Sequence, residues 1–175
     1  HPAIVRVDNH ARWKDGRFYI TFDYVDGLSL RSCIGKDRPS NEQFQRVATL
    51  LLDGIKLLHN LAEDGVSNPI LHNDIKPDNI LLTKDYRPVL IDFGIASHPQ
   101  ISVYSGTRNY IASDLQVGTD RDYCIGGDLY ALGVTLFEWY FGRLPKLEDF
   151  KNNNMQFEDN INIDLRRWFE RAVSW

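Results

Sequence analysis

The chain has 175 residues, 43% of them hydrophobic and 25% charged, which suits one compact unit with a core and excludes a disordered polymer. A formal net charge of −4 argues against a general nucleic-acid or anionic-membrane surface, so any handling of phosphate must be local. Cys33 and Cys124 are too few and too far apart for a disulfide framework or a zinc cluster, and a reducing, cytoplasmic setting is the expectation. The most apolar run, Leu129 to Phe141, is too short to cross a bilayer and carries Glu138, and no signal-peptide pattern opens the chain. The opening His1-Pro2 without a methionine reads as a segment of a longer polypeptide.

In chain order, Ile4 to Val7 and Arg17 to Phe22 are strand-like runs, joined through Trp13-Lys14-Asp15-Gly16 with its Asp-Gly hairpin signal. Asp23 to Gly27 leaves the sheet, and Leu28-Ser29-Leu30 is expected to begin a helical turn. Ser40-Asn41-Glu42-Gln43 is a capping box, followed by Phe44, Val47, Leu51, Ile55 and Leu58 on one helical face. Leu61 to Pro69 reads as a loop. Ile80-Leu81-Leu82 and Val89-Leu90-Ile91 are apolar strand-type runs, with a short hairpin around Asp85-Tyr86-Arg87-Pro88 between them. Ile95 to Ala112, rich in Ser, Gly and Thr, lacks a sustained period and can rearrange. From Asp128 to Phe141 a helix is apolar on nearly every side and therefore buried, ending at Gly142 with Pro145 beyond. An Asn-rich turn at Asn152-Asn153-Asn154 and an amphipathic helix over Leu165 to Trp175 close the chain, and no repeat marks a second domain.

The chemistry concentrates in His72 to Leu82, HNDIKPDNILL. Asp74, Lys76 and Asn79 place a carboxylate, an ammonium and an amide on one rim, with Pro77 stiffening the backbone. Eighteen residues after Asp74, a strand delivers Asp92 onto a Phe93-Gly94 turn, facing Asn79. Oxygen ligands from Asp92 and Asn79 suit Mg²⁺, which keeps waters and borrows phosphate oxygens.

With these residues assembled, the sequence resembles the protein kinase family. His72 to Asn79 matches the catalytic-loop pattern H-R-D-x-K-x-x-N, and Asp92-Phe93-Gly94 matches the D-F-G turn. The resemblance implies an α+β protein-kinase-like fold: a mostly α-helical large lobe with a partial small-lobe β-hairpin. Residues 1–22 would be the remnant of the small-lobe strands, 23–30 the hinge, and 31–175 the large lobe, truncated at its C-terminal end. The family's glycine-rich loop, strand lysine and helix glutamate are not among the 175 residues. The chain alone should be inactive unless the same polypeptide or a partner supplies them.

The same resemblance assigns roles. Asp74 would orient the acceptor hydroxyl, Lys76 stabilise the transferring phosphate, and Asn79 and Asp92 hold Mg²⁺. The backbone C=O of Asp23 and both backbone groups of Val25 would bond the adenine edge of ATP, Phe22 guard the back of that pocket and Leu81 floor it. His72 is expected to pack against Phe93, Thr107 to bond Asp74 and Lys76, and Asp128 to accept backbone N–H groups of the catalytic loop besides acting as N-cap. Gly106-Thr107 and Tyr110-Ile111-Ala112 match the stretch that receives a peptide, and with Lys76 they resemble the serine/threonine branch. The expected partners are ATP and a protein substrate, with neither nucleic acid nor membrane; a small-molecule kinase of related fold and a pseudokinase serving as a binding module are the rivals.

Two positions depart from the pattern. Asn73 stands where arginine is usual and cannot pair bidentately with a phosphate. Ser113-Asp114 stands where Pro-Glu is usual, which shortens the acid, removes the proline's rigidity and puts anchoring of the peptide-binding loop in question. Its arginine partner is expected beyond Trp175 or at Arg166, Arg167 or Arg171.

Overall fold

The computed structural model describes residues 1–36, 38–94, 96, 106–111, 125–146 and 163–172. Strands β1 (Val7–Arg12) and β2 (Phe18–Phe22) pair antiparallel across the Trp13-to-Gly16 turn, as expected from Asp-Gly. The first strand begins at Val7, not Ile4. Ile4 instead makes an isolated parallel bridge to Leu90, with Val5 N donating to Leu90 O (2.9 Å) and Leu90 N to Ala3 O (2.8 Å). The entry segment is thus stitched to the last strand of a different sheet, and Ala3 and Val5 are buried there.

That sheet has the order β3 (Gly27–Ser29), β6 (Ile80–Thr83), β7 (Pro88–Leu90), antiparallel throughout. Its edge, β3 (Gly27–Ser29), contains Leu28 and Ser29, which the sequence pattern placed in a helical turn; pairing with β6 (Ile80–Thr83) overrides that local preference. Helix α1 (Leu30–Cys33) follows at once, with the Ser29 hydroxyl accepting from Ser32 N at its N-cap. Strand β7 (Pro88–Leu90) returns from the expected hairpin.

Helix α2 (Asn41–His59) carries the full capping box at Ser40 and Gln43, and all five residues of its expected stripe are buried. Residues 61–69 are not a plain loop. They form a small hairpin, β4 (Ala62–Glu63) with β5 (Val66–Ser67), around Asp64-Gly65, both at positive φ (50° and 78°), the two-residue turn that suits strand twist.

Helix α3 (Ile125–Phe141) is buried over most of its length and stops at Gly142, whose φ is +70°. It starts three residues before Asp128, so Asp128 lies in the first turn and is not the N-cap. Helix α4 spans Ile163–Ala172 where Leu165 to Trp175 was expected. Phe44 of α2 joins Trp139 and Tyr140 of α3 and Trp168 and Phe169 of α4, with ring centroids 5.2 to 6.0 Å apart. Aromatic pairs at such spacing add to the burial of large side chains. The turn at Asn152-Asn153-Asn154 and the pair Ser113-Asp114 lie outside the described residues.

Helices α3 and α4 meet backbone to backbone at Gly133, where an added Cβ would lie 2.8 Å from Ala172 O and 2.9 Å from Ala172 Cβ. Gly133→Ala should therefore cost about 1–3 kcal/mol by overpacking, read as a lower urea midpoint at unchanged slope.

Candidate active site

The loop from His72 to Asn79 is shaped from beneath by Asp128, 3% exposed. Its Oδ2 accepts from His72 N (2.8 Å) and its Oδ1 from Asn73 N (2.9 Å), while His59 Nε2 from the last residue of α2 lies 2.9 Å from Oδ2. One carboxylate therefore ties α2, α3 and the loop together, as expected for the backbone N–H groups and unexpected for His59. Asn73 takes φ +64°, a left-handed conformation that asparagine tolerates better than most side chains. Gly106 packs where a Cβ would stand 3.0 Å from Asn73 O, at φ +145°, so only glycine brings the segment this close to the loop.

His72 is fully buried and lies edge-on to Phe93, with centroids 4.7 Å apart. Its Nε2 is 3.0 Å from Ile91 O and its Nδ1 3.3 Å from Asp74 N. A neutral ring with the proton on Nε2 satisfies both partners: it donates to the carbonyl and accepts from the amide. Burial pushes its pKa down, against the opposing charges of Asp128, Asp74 and Asp92 and the Ile91 carbonyl. The ring holds two backbone groups in register and has no acceptor-side proton to move.

Asp74 is the point of convergence. Its Oδ2 accepts from Lys76 Nζ (2.6 Å) and Asn79 Nδ2 (3.0 Å), and its Oδ1 accepts from Thr107 Oγ1 (2.8 Å) and Thr107 N (3.2 Å). Lys76 Nζ also donates to Thr107 Oγ1 (2.9 Å), and Asn79 Nδ2 to Asp74 O (2.9 Å). Burial raises the carboxyl's pKa, but the hydrogen bonds from Lys76, Thr107 and Asn79 and the charge of Lys76 outweigh it and hold it below the usual range. Asp74 is ionised at neutral pH.

The 3₁₀ turn Pro77–Asn79 buries Asn79, and Asn79 O accepts from Ile91 N (2.9 Å), which sets Asp92 one residue beyond that bond. Asp92 is exposed, at φ +63°, with Oδ1 accepting from Gly94 N (3.2 Å). The bond to Asn79 is made by Ile91, the neighbour of Asp92, and not by Asp92 itself. With its amide nitrogen spent on Asp74, Asn79 keeps its amide oxygen, and together with the Asp92 carboxylate the donors are hard oxygens that fit Mg²⁺. Among the described residues no group of three or more His, Cys, Asp and Glu is placed for a metal, so phosphate and water oxygens must complete such a shell.

Asp23 and Val25 stand between β2 and β3, with Asp23 N tied to Arg6 O (3.0 Å). The Asp23 carbonyl and both backbone groups of Val25 take no backbone partner among the described residues. Leu81 lies half-buried on the face of β6 opposite buried Ile80 and Leu82.

Sequence reasoning missed one cluster. Arg31 Nη1 reaches Glu138 Oε1 (2.5 Å), Arg31 Nη2 donates to Tyr110 OH (2.5 Å), and Arg31 Nε and Nη2 each lie 3.2 Å from Asp78 Oδ2. Tyr110 OH donates in turn to Glu138 Oε2 (2.6 Å). The available signal was Glu138 itself, an acid inside an apolar helix that needs a partner.

The family model described as "Protein kinase domain" matches residues 1–173. The chain belongs to the protein kinase domain family. It is 32% identical over 160 residues to "Serine/threonine-protein kinase PknB" of Mycolicibacterium smegmatis, covering 85% of this chain and 24% of that protein. It is 34% identical over 143 residues to "Serine/threonine-protein kinase D" of Synechocystis, covering 75% of this chain and 26% of that one. With "Probable serine/threonine-protein kinase samkA" of Dictyostelium discoideum the identity is 28% over 174 residues, 95% of this chain and 26% of the relative. This kinase-domain chain thus spans about a quarter of the length of such relatives. No helix among its described residues is long and apolar enough to cross a membrane.

His72 gives the kinase-domain chain a pH signature. Its folded pKa lies below its unfolded value, so the unfolded chain binds the proton first and stability falls as pH drops below about 6.5. Melting temperature should decline between about pH 7 and pH 5.5, and His72→Gln should flatten that slope. An equal slope in the variant would assign the acid sensitivity elsewhere.

Proposed function

We propose that the protein is a serine/threonine protein kinase that moves the γ-phosphate of ATP, with Mg²⁺, onto a Ser or Thr hydroxyl of a protein substrate. The observation that carries this reading is the convergence of Lys76, Asn79 and Thr107 on Asp74, one backbone bond away from the Asp92 turn. Phosphoryl transfer asks the protein for in-line positioning and charge neutralisation more than for covalent chemistry. Asp74, kept ionised by its donors, orients the acceptor O–H and takes its proton late, as the new O–P bond forms and the bond to the β-phosphate oxygen breaks. Lys76 lies close enough to Asp74 to meet the charge that develops on the transferred phosphoryl. Asn79 and Asp92 would hold Mg²⁺, which when bound neutralises charge on the phosphates.

The Asp23 carbonyl and the Val25 backbone groups, which take no backbone partner among the described residues, support a role in gripping the adenine edge, with Leu81 beneath it. Thr107, bridging Asp74 and Lys76, supports a peptide platform and the serine/threonine branch over a small-molecule acceptor. We assign residues 1–22 to a small lobe, 23–30 to the hinge and 31–175 to the large lobe. The glycine-rich loop, strand lysine and helix glutamate would come from the same polypeptide or a partner. The β1–β2 hairpin supports this: Phe18, Ile20 and Phe22 alternate along β2 on one face and are 67%, 56% and 42% exposed, an apolar surface open to further elements. The setting we infer is the reducing cytoplasm.

In the intact protein, γ-labelled ATP should place phosphate on Ser or Thr, and Asp74→Ala should lower the rate about 10²–10⁴-fold. Labelling of tyrosine alone, or an undiminished variant, would contradict the proposal. Because Asn73 replaces the phosphate-pairing arginine, the combined Ala variant of Ser102, Tyr104 and Ser105, positions outside the described residues, should keep most of the wild-type activity. Loss of activity with an intact fold would show that the loop waits for phosphorylation.

A further inference from the structure

Arg31 is the second residue of α1, directly after the strand that leaves the hinge. From there its guanidinium spends donors on three separate elements: Asp78 in the catalytic-loop turn, Glu138 in α3 and Tyr110 at the end of the 3₁₀ turn Arg108–Tyr110. Tyr110 closes the ring by donating to Glu138. The side chain is 38% exposed, whereas Glu138 is 10% exposed and sits in a mostly apolar helix. Without Arg31 a nearly buried carboxylate would lose its cation. Burial lowers the Arg31 pKa, but the hydrogen bonds to Tyr110, Asp78 and Glu138 more than reverse this, and burial with Glu138 raises the Tyr110 phenol. Both groups stay protonated.

The ring has a mechanical consequence. Tyr110 N donates to Thr107 O (2.8 Å), so the 3₁₀ turn is one short rigid piece. One end, Thr107, is bonded to Asp74 and Lys76; the other, Tyr110, is bonded to Arg31 and Glu138. We propose that Arg31 is a positioning residue that clamps this turn from the hinge side, and so fixes Thr107 against the Asp74 carboxylate on the acceptor side. The proposal rests on the kinase reading for its effect on catalysis, but not for the clamp itself. An arginine is required, because a lysine ammonium cannot bond three partners in a planar fork.

Two measurements on the intact protein test it. Amide hydrogen exchange reads the clamp without reference to activity: Arg31→Ala should speed exchange at residues 107–111 by about tenfold or more, with the α2 amides unchanged. Steady-state kinetics with dephosphorylated casein as acceptor should show KM for casein raised and kcat/KM lowered about tenfold, with KM for ATP unchanged. Tyr110→Phe should do the same, the double variant should be no worse than either single one, and Arg31→Lys should not restore the wild type. Unchanged exchange at 107–111, additive effects, or full recovery by lysine would overturn the clamp. Faster exchange in a protein whose wild type transfers no phosphate would refute the kinase reading and leave the clamp standing.

Discussion

The carboxylate of Asp128 is buried in the first turn of a helix that is apolar on nearly every side, a costly place for a charge unless donors converge on it. Three do: the amides of His72 and Asn73 and the ring of His59. Offsetting that burial with the amides of the His72-to-Asn79 loop means the loop cannot turn elsewhere while the core is packed. The left-handed Asn73, the buried His72 and the approach of Gly106 accompany this attachment. The residues of the candidate site then hang from the same stretch. Asp74 projects into a ring of donors, Asn79 closes the turn, and the Ile91–Asn79 backbone bond brings the Asp92 turn alongside.

The core and the site are thus organised at different ranges. Aromatic packing among α2, α3 and α4 supplies bulk stabilisation without direction, whereas the polar contacts at the site supply direction and modest net energy. Two buried acids on α3, ten residues apart, divide the work: Asp128 holds the loop and Glu138 holds the segment through Tyr110 and Arg31. The central helix is a rail with two polar fastenings.

Much of this was legible in local sequence, and what was not has a physical reason. Ser40 with Gln43, the Asp-Gly turn at Gly16 and the stripe from Phe44 to Leu58 depend on neighbours a few residues away, and each appears as read. The loop motif and the Asp92 turn were legible because the kinase-domain family fixes residue type and spacing together. Ile4 misled because its pairing partner is Leu90, far along the chain. Leu28 and Ser29 look helical until β6 is placed beside them. The Asp64-Gly65 signal was present and went unused. Arg31 and Glu138 meet across 107 residues, with no local pattern to announce it.

The most direct test of the account is amide exchange at His72 and Asn73 in the intact protein carrying Asp128→Asn, with the amides of α2 as an internal reference. An asparagine offers one acceptor oxygen in place of two and sets an N–H against a backbone N–H. Protection at both loop amides should fall by about tenfold or more while α2 keeps its protection. Loop amides as protected as in the wild type, with α2 unchanged, would show that the carboxylate of Asp128 does not hold the His72-to-Asn79 loop.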